Sequence, residues 1–224
     1  MTYEIRPYQP ADRAAVGEVC VRTAAAGGDA RGRYSDDTLM PEVYAWPYVD
    51  HQPDLAWVVV RPAADPAPGA GDPDALLRSG DDAVVGYVIG VADTAAFIDW
   101  WRREWTPGFI ARHPAPGLAP QPAVGYTESD LLRDGADPDR MRNDDLGTHP
   151  AHLHIDLLPE AQGHGLGRAL IETLRAALAA RNVPGVQLGM DPANTNARAF
   201  YDRLGFIELP THRPDRPLLG IATS

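Results

Sequence analysis

Cysteine is almost missing from this chain: Cys20 is the one thiol in 224 residues. One thiol excludes an internal disulfide framework and any Cys-rich metal site, and it points to a reducing compartment. Long apolar runs are missing as well. No segment nears the roughly 20 apolar residues a membrane helix needs, and no Arg-flanked apolar stretch opens the sequence. The expectation is a soluble, unexported, cytoplasmic protein with no membrane role. Positive charge is in deficit, since 20 Lys+Arg against 31 Asp+Glu leave a formal net charge of −11. Such a surface repels phosphate backbones, which argues against nucleic acid as a partner, and it attracts cationic molecules. Excess acid also serves solubility alone. What the chain has in quantity is apolar material: at 44% hydrophobic it buries a core, and its length suits one large domain or a small one with a big insertion.

The order of elements can be read from periodicity and from Pro and Gly punctuation. Tyr3 to Pro7 reads as a first strand, and Asp12 opens a helix with Val16, Val19, Cys20 and Thr23 at helical spacing, ended by Gly27-Gly28. A looser helical region spans Arg31 to Asp50. Leu55 to Val60 and Val84 to Val91 are β-prone runs that pair antiparallel across an overgrown loop, Pro62 to Asp82, to which no chemistry is assigned. Residues 94–150 form an insertion between the third and fourth strands. It begins as a helix from Ala95 to Arg103 with Phe97, Trp100 and Trp101, then dissolves into a Pro-rich stretch (Pro107, Pro114, Pro116, Pro120, Pro122) and an acidic tract (Asp130, Asp134, Asp137, Asp139, Asp144, Asp145). From His152 the pattern is regular: a strand to Leu158, a helix from Gly165 to Arg181, a strand from Val186 to Met190 and a helix from about Asn194 stopped by Gly205. Phe206 to Leu209 and Leu218 to Ile221 close the sheet. The fold class is therefore α/β (α+β), with one domain over 1–224 and a mixed, mostly antiparallel sheet of six to seven strands flanked by helices.

Strand, Gly-rich turn and helix start follow one another directly at Gln162-Gly163-His164-Gly165-Leu166-Gly167. Three glycines let the backbone turn tightly and come close to a ligand, and the first amides of the next helix lack intrahelical acceptors. Together they make an anion site suited to a pyrophosphate. A Walker loop would need Lys then Ser or Thr, where this chain has Arg168-Ala169. A dinucleotide fingerprint belongs after an early strand with an acid about 20 residues on, and the next acid after the following strand begins is Asp191.

The run Leu157-Leu158-Pro159-Glu160-Ala161-Gln162-Gly163-His164-Gly165-Leu166-Gly167 resembles the coenzyme A motif of the GNAT acetyltransferases. About 30 residues later, Asn194-Thr195-Asn196-Ala197-Arg198-Ala199-Phe200-Tyr201 through Gly205-Phe206 is similar to that family's second signature. Ile5-Arg6-Pro7, Asp93 to Ile98 with the Trp that follows, and the contexts of Asp156 and Tyr201 further resemble the acetyltransferase-like C-terminal domain of O-GlcNAcase and its stand-alone bacterial relatives. The Gly-rich turn is degraded in the eukaryotic domain and intact here. The resemblance implies a GNAT fold and acetyl-CoA as cosubstrate. It implies an N-acetyltransferase acting on a primary amine, a small amine or a lysine, by direct attack on the thioester, with a noncatalytic acyl-CoA-binding module as the alternative.

It also implies roles. The amides of Gly163, His164, Gly165, Leu166, Gly167, Arg168 and Ala169 would hold the pyrophosphate, with Gln162 beside them. The backbone at Leu157 and Leu158 would pair with the pantetheine arm, and the Leu157 amide would stabilise the oxyanion. Asn194 and Phe200 would contact the cofactor. Asn194 also suits an N-cap. Tyr201 would contact the cofactor too and protonate the leaving thiolate; its other reading is a core tyrosine.

The strand itself adds an observation. His152, His154 and Asp156 share one face at period two, where a doubly covered central strand should be apolar. That face reads as the wall of a wet cleft, with Asp156 as the base for the amine, His154 as its alternative, and a structural Asp-His pair as the competing reading. The same three groups lack a visible fourth ligand, so no metal is expected. Trp100, Trp101 and Trp105 with the acidic tract fall where acceptor specificity would be set, and a cationic acceptor fits the charge. Aromatics on an inserted helix also serve packing. Monomer and homodimer both remain open.

Overall fold

The computed structural model describes residues 2–63, 72, 74–114, 126–143, 147–211 and 216–224. The strands are β1 (Glu4–Pro7), β2 (Ala56–Pro62), β3 (Arg78–Ser79), β4 (Asp82–Val91), β5 (Ala151–Leu157), β6 (Gly185–Gly189), β7 (Ile207–Leu209) and β8 (Leu218–Ala222). The helices are α1 (Arg13–Thr23), α2 (Leu39–Tyr44), α3 (Trp46–His51), α4 (Thr94–Trp100), α5 (Thr106–Arg112), α6 (Glu128–Ala136), α7 (Leu166–Ala179) and α8 (Thr195–Leu204). One sheet has the order β1-β2-β4-β5-β6-β8-β7, with β3 beside β4. Neighbours pair antiparallel except β5 and β6, which are parallel. The sheet thus has eight strands, one more than the upper expectation. The extra one is the two-residue β3, which pairs with the start of β4 inside the stretch read as loop. Residues 64–71 and 73 of that stretch lie outside the described residues.

Sequence chemistry explains the frame. β4 is buried along nearly its whole length, as the Val- and Ile-rich run of a central strand should be. A bulge between Val59 and Val60 in β2 adds twist on the amino-terminal side of the sheet. α1 lies on one face of β4 and β5, while α7 covers the other and brings Leu174 against Gly90, where a Cβ would stand 3.2 Å from its side chain. Asn194 caps α8 by accepting from the Ala197 amide (3.0 Å), and Gly205 ends it with φ 88°.

The insertion differs from expectation. Its first helix does not dissolve after Arg103: α4, capped by Asp93, runs through a π-helical turn at Trp101–Trp105 into α5 and ends at Arg112, with Pro107 in the tolerated first turn. Aromatic anchoring holds it. Trp101 is fully buried and its indole N–H donates to the Gly135 carbonyl (3.0 Å), and Trp105 donates to the Glu42 carbonyl (3.1 Å). The acidic tract is structured too. Thr127 and Asp130 form a capping box that starts α6, Asp137 caps the next turn, and Asp139 pairs with Arg102 and Arg142. Pro116, Pro120, Pro122, Asp144 and Asp145 lie outside the described residues.

Gly135 seats α6 on α5. A Cβ there would meet the Phe109 ring at 2.1–2.6 Å, and Phe109 is itself buried. Gly135→Ala is expected to lose up to about 2 kcal/mol of stability in urea unfolding, because overpacking of about 1–3 kcal/mol outweighs the roughly 1 kcal/mol gained in helix propensity. A stabilised variant would show that the insertion is not packed on this contact.

Candidate active site

The site begins with a gap in the sheet. β5 pairs with β6 only at Ala151 and His152, and beyond that the two strands separate. On its other side β5 stays bonded to β4 as far as Leu158, whose N–H donates to the Val85 carbonyl (2.9 Å). Ladder bonds alternate, so the backbone groups of Leu153, Ile155 and Leu157 face the open edge. The Gln162 side chain reaches this edge and donates to the Leu157 carbonyl (2.9 Å). Leu158 is a correction: its N–H serves Val85 and its carbonyl accepts from Ala161, so it is not available to pair with an arm laid along the edge.

The Gly-rich turn follows at once. Gly163 and Gly165 have φ of 79° and 77°, in the left-handed region that side chains disfavour. Gly167 lets α7 and α8 meet, since a Cβ would touch the Phe200 ring at 3.0 Å. The amides of Gly163, His164, Gly165, Leu166, Gly167 and Arg168 have no acceptor among the described residues. Ala169 is the second correction, because its N–H already donates to the Gly165 carbonyl (3.1 Å) as the first bond of α7. Six consecutive free amides at a helix start are a strong anion cradle. The His164 ring lies 5.1 Å from that of Tyr3, and Arg168 reaches the Arg203 carbonyl (3.4 Å) from the exposed side of α7.

On the opposite face lies a cleft of about 750 Å³, lined among others by His152, His154, Asp156, Cys20, Thr23 and Asn194. The shared face expected of β5 is observed. Tyr87 donates to Asp156 at 2.5 Å, and Thr23 lines the cleft with it while donating to the Val19 carbonyl (2.8 Å). The Tyr87 bond favours the charged form, yet burial dominates and pushes Asp156 up to about 6. The histidines form a directed chain. The Pro150 carbonyl can only accept, so the Thr94 hydroxyl donates to it (2.7 Å) and must accept from His152 Nδ1 (2.8 Å). His152 Nε2 therefore accepts from the Tyr48 hydroxyl (2.9 Å), whose oxygen accepts from His154 Nε2 (3.0 Å). Burial, helped by the nearby Arg140 charge, pushes His154 down to about 3 and His152 well below its ordinary value. Both rings stay neutral. A group at 3 is a weak base near neutrality.

Tyr201 does not line this cleft. It is buried, with its ring 5.2 Å from both Phe200 and Phe206, and its hydroxyl bonds no described residue. Burial first and the Asp156 charge second push its phenol up, which keeps it protonated. Asn194 performs the capping role and also lines the cleft. The tryptophans do not: Trp100 stacks on Phe97 (5.5 Å), and none of Trp100, Trp101 or Trp105 lines the cleft, so packing is what they do. The sequence reading missed Tyr87 and Tyr48, which hold Asp156 and the histidines. A lone tyrosine inside the Val- and Ile-rich β4 was the one available signal for the first. Tyr48 carried none, because its partners are 104 and 106 residues away.

Comparison with known proteins identifies the family. The model of the Acetyltransferase (GNAT) family matches residues 70–206. The chain belongs to this family of acetyltransferases. A crystal structure of SsHAT is 41% identical, with a TM-score of 0.83 and 100% of each chain covered. Protein O-GlcNAcase of Rattus norvegicus is 22% identical over 92% of this chain and 20% of its own length. Mycothiol acetyltransferase of Beutenbergia cavernae is 44% identical over 24% of this chain and 18% of its own. The chain thus spans about a fifth of the length of these curated relatives. Among the described residues no helix is long and apolar enough to cross a membrane.

The raised Asp156 carboxyl couples stability to pH. Between about 4 and 6 the folded chain holds a proton that the unfolded chain releases, so stability falls as pH rises through that window. Asp156→Asn removes the effect. The melting temperature of the variant, relative to wild type, is expected to climb between pH 4 and pH 7. A flat difference would mean that the carboxyl is not raised.

Proposed function

We propose that this acetyltransferase uses acetyl-CoA and transfers the acetyl group to a primary amine by direct attack on the thioester. The observation that carries the reading is the run of six unpaired amides from Gly163 to Arg168, next to the open backbone edge at Leu157. A pyrophosphate suits the first and an extended amide-bearing arm suits the second, as if added to the sheet as a strand.

The chain's residues then divide the work. The Leu157 N–H, on the open edge, stabilises the oxygen that gains charge as the amine adds to the carbonyl carbon. The new C–N bond forms and the C–S bond breaks. Asp156 takes the proton the amine must lose, and a carboxyl near 6 is largely ionised at neutral pH while still basic enough to accept it. Tyr201 supplies a proton to the departing sulfur. Gln162 orders the strand end by holding the Leu157 carbonyl.

Calorimetric titration with acetyl-CoA is the first test. Wild type should bind, and the double variant Gly163→Val, Gly165→Val should bind at least about tenfold more weakly, because left-handed backbone at both positions is denied to valine. Equal binding would exclude the turn as the cofactor site. With a turned-over amine, Tyr201→Phe should lower kcat by about 10²–10⁴-fold. Tyr87→Phe should move the acid limb of the pH–rate profile above its wild-type position near 6, since it removes a bond that favours the Asp156 carboxylate. Binding without transfer to any amine would instead support the noncatalytic module.

A further inference from the structure

The hydrogen-bond chain on β5 leaves one ring nitrogen over. It runs from the Pro150 carbonyl through Thr94, His152 and Tyr48, and its last member is the proton on His154 Nε2, given to the Tyr48 oxygen (3.0 Å). A neutral imidazole with its proton on Nε2 keeps a lone pair on Nδ1. Among the described residues nothing donates to that nitrogen, and it is not one of the buried atoms left without a partner, so solvent reaches it. His154 is half-buried and lines the cleft, which is where that solvent stands. The ring meets Tyr44 (5.7 Å) and Tyr48 (4.9 Å) edge to face, and turning it over would break the Tyr48 bond. A hydrogen-bond acceptor of fixed polarity therefore faces the cleft, set by a main-chain carbonyl that cannot donate.

Asp156 is the second acceptor on this face. It lies two residues further along β5, about 7 Å away at the backbone, and the Tyr87 hydroxyl takes one of the roughly four lone-pair sites of its carboxylate. The donors around them are committed elsewhere. Tyr48 gives its proton to His152 and Thr23 gives its own to the Val19 carbonyl, while Arg140 donates to the carbonyls of Asp134 (2.7 Å) and Val43 (3.3 Å). A group placed between His154 and Asp156 thus meets an acceptor on either hand.

We infer that His154 Nδ1 and the Asp156 carboxylate together hold the acceptor nitrogen by its hydrogens, and that Thr94, His152 and Tyr48 are positioning residues that keep Nδ1 free of a proton. A nucleophile held in this way gives a hydrogen to each acceptor and still needs a lone pair for the thioester carbon. A primary amine meets all three demands, whereas an alcohol has a single hydrogen to give. As the C–N bond forms and the C–S bond breaks, Asp156 takes one hydrogen as a proton. The other stays on the product amide, still bonded to Nδ1, so His154 keeps its tautomer throughout.

This inference rests on amine acetylation at Asp156, so its test is spectroscopic and needs no turnover. In the CoA-loaded protein the imidazole nitrogens of His154, assigned by difference from His154→Gln, are followed by NMR. Methylammonium, the smallest primary amine, is titrated in, with tetramethylammonium as a cation of equal charge and no N–H. Nδ1 should be unprotonated before titration. Methylammonium should move its resonance toward that of a protonated nitrogen, and tetramethylammonium should leave it in place. Thr94→Val, which removes the acceptor of the His152 proton, should populate the opposite His154 tautomer and weaken methylammonium by about three- to tenfold, the order of one hydrogen bond. Thr94→Ser should restore both. A protonated Nδ1 in the wild type, a resonance that methylammonium does not move or that tetramethylammonium moves as far, or a Thr94→Val variant that keeps either the wild-type tautomer or the wild-type affinity overturns the inference. The expected response at His154, in a protein that acetylates no amine from acetyl-CoA, counts against the catalytic reading alone.

Discussion

The parting of β5 from β6 after His152 is the constraint on which the rest of the site depends. Its vertex is clamped. Gly185 lies so close that a Cβ would stand 2.5 Å from the Thr148 carbonyl, and the buried Gln187 donates to the His149 carbonyl (2.9 Å) while accepting from Asn143 (3.1 Å). Above these contacts the strands are free to separate, and the backbone of β5 loses its partner on one side. Unpaired backbone groups within a fold are costly unless something else satisfies them. Gln162 satisfies the Leu157 carbonyl, and the remaining edge is what a ligand with its own amides can complete. The even-numbered side chains of β5 face the cleft because alternate residues of a strand point to one side of the sheet.

Within that cleft one cause, loss of water, acts oppositely on two kinds of group. It raises the carboxyl of Asp156 and lowers the imidazoles of His152 and His154. Arg140 deepens the second effect. The result is a strand that carries three titratable residues in a row of alternate positions, of which one is poised near neutral pH and two are held neutral as hydrogen-bonding groups. Their tautomers are fixed from outside by a carbonyl that cannot donate, Pro150, through Thr94 and Tyr48. Separation of roles among neighbouring groups by environment is the familiar way one site holds both a base and fixed dipoles.

Local signals made the frame legible. Alternation and β-branching marked β2, β4 and β5, glycines marked the turn and the end of α8, and the polar stripe His152-His154-Asp156 marked the cleft wall before any coordinate. Register and distance were not legible. Whether the amide of Leu158 or of Ala169 is free depends on which ladder or helix bond it closes, and sequence resemblance brackets such a segment one residue too generously at each end. The acidic tract misled because composition does not say which carboxylate caps, which pairs and which is buried. Asp130 caps α6, Asp139 pairs at the surface, and Asp134 is held by Tyr44 from 90 residues away. A two-residue strand such as β3 has no periodicity to detect.

Net charge is a coarse guide to the inside of a cleft, and the reason is general. A total of −11 sums exposed groups that act through water and salt, where fields fade within about 10 Å. A cleft is governed instead by the few charges in its wall and by what lies hidden behind them. Here the basic residues of the chain are all arginines, since the sequence contains no lysine. That composition matters at this site in two ways. Guanidinium groups stay charged when stacked on buried aromatic rings, as Arg140 is, where an ammonium would tend to lose its proton. They are also poor nucleophiles near neutral pH, so the cations that line the cleft do not themselves compete for an acetyl group delivered there. A cleft whose cations are not themselves acetylated leaves its reactive end to the acceptor.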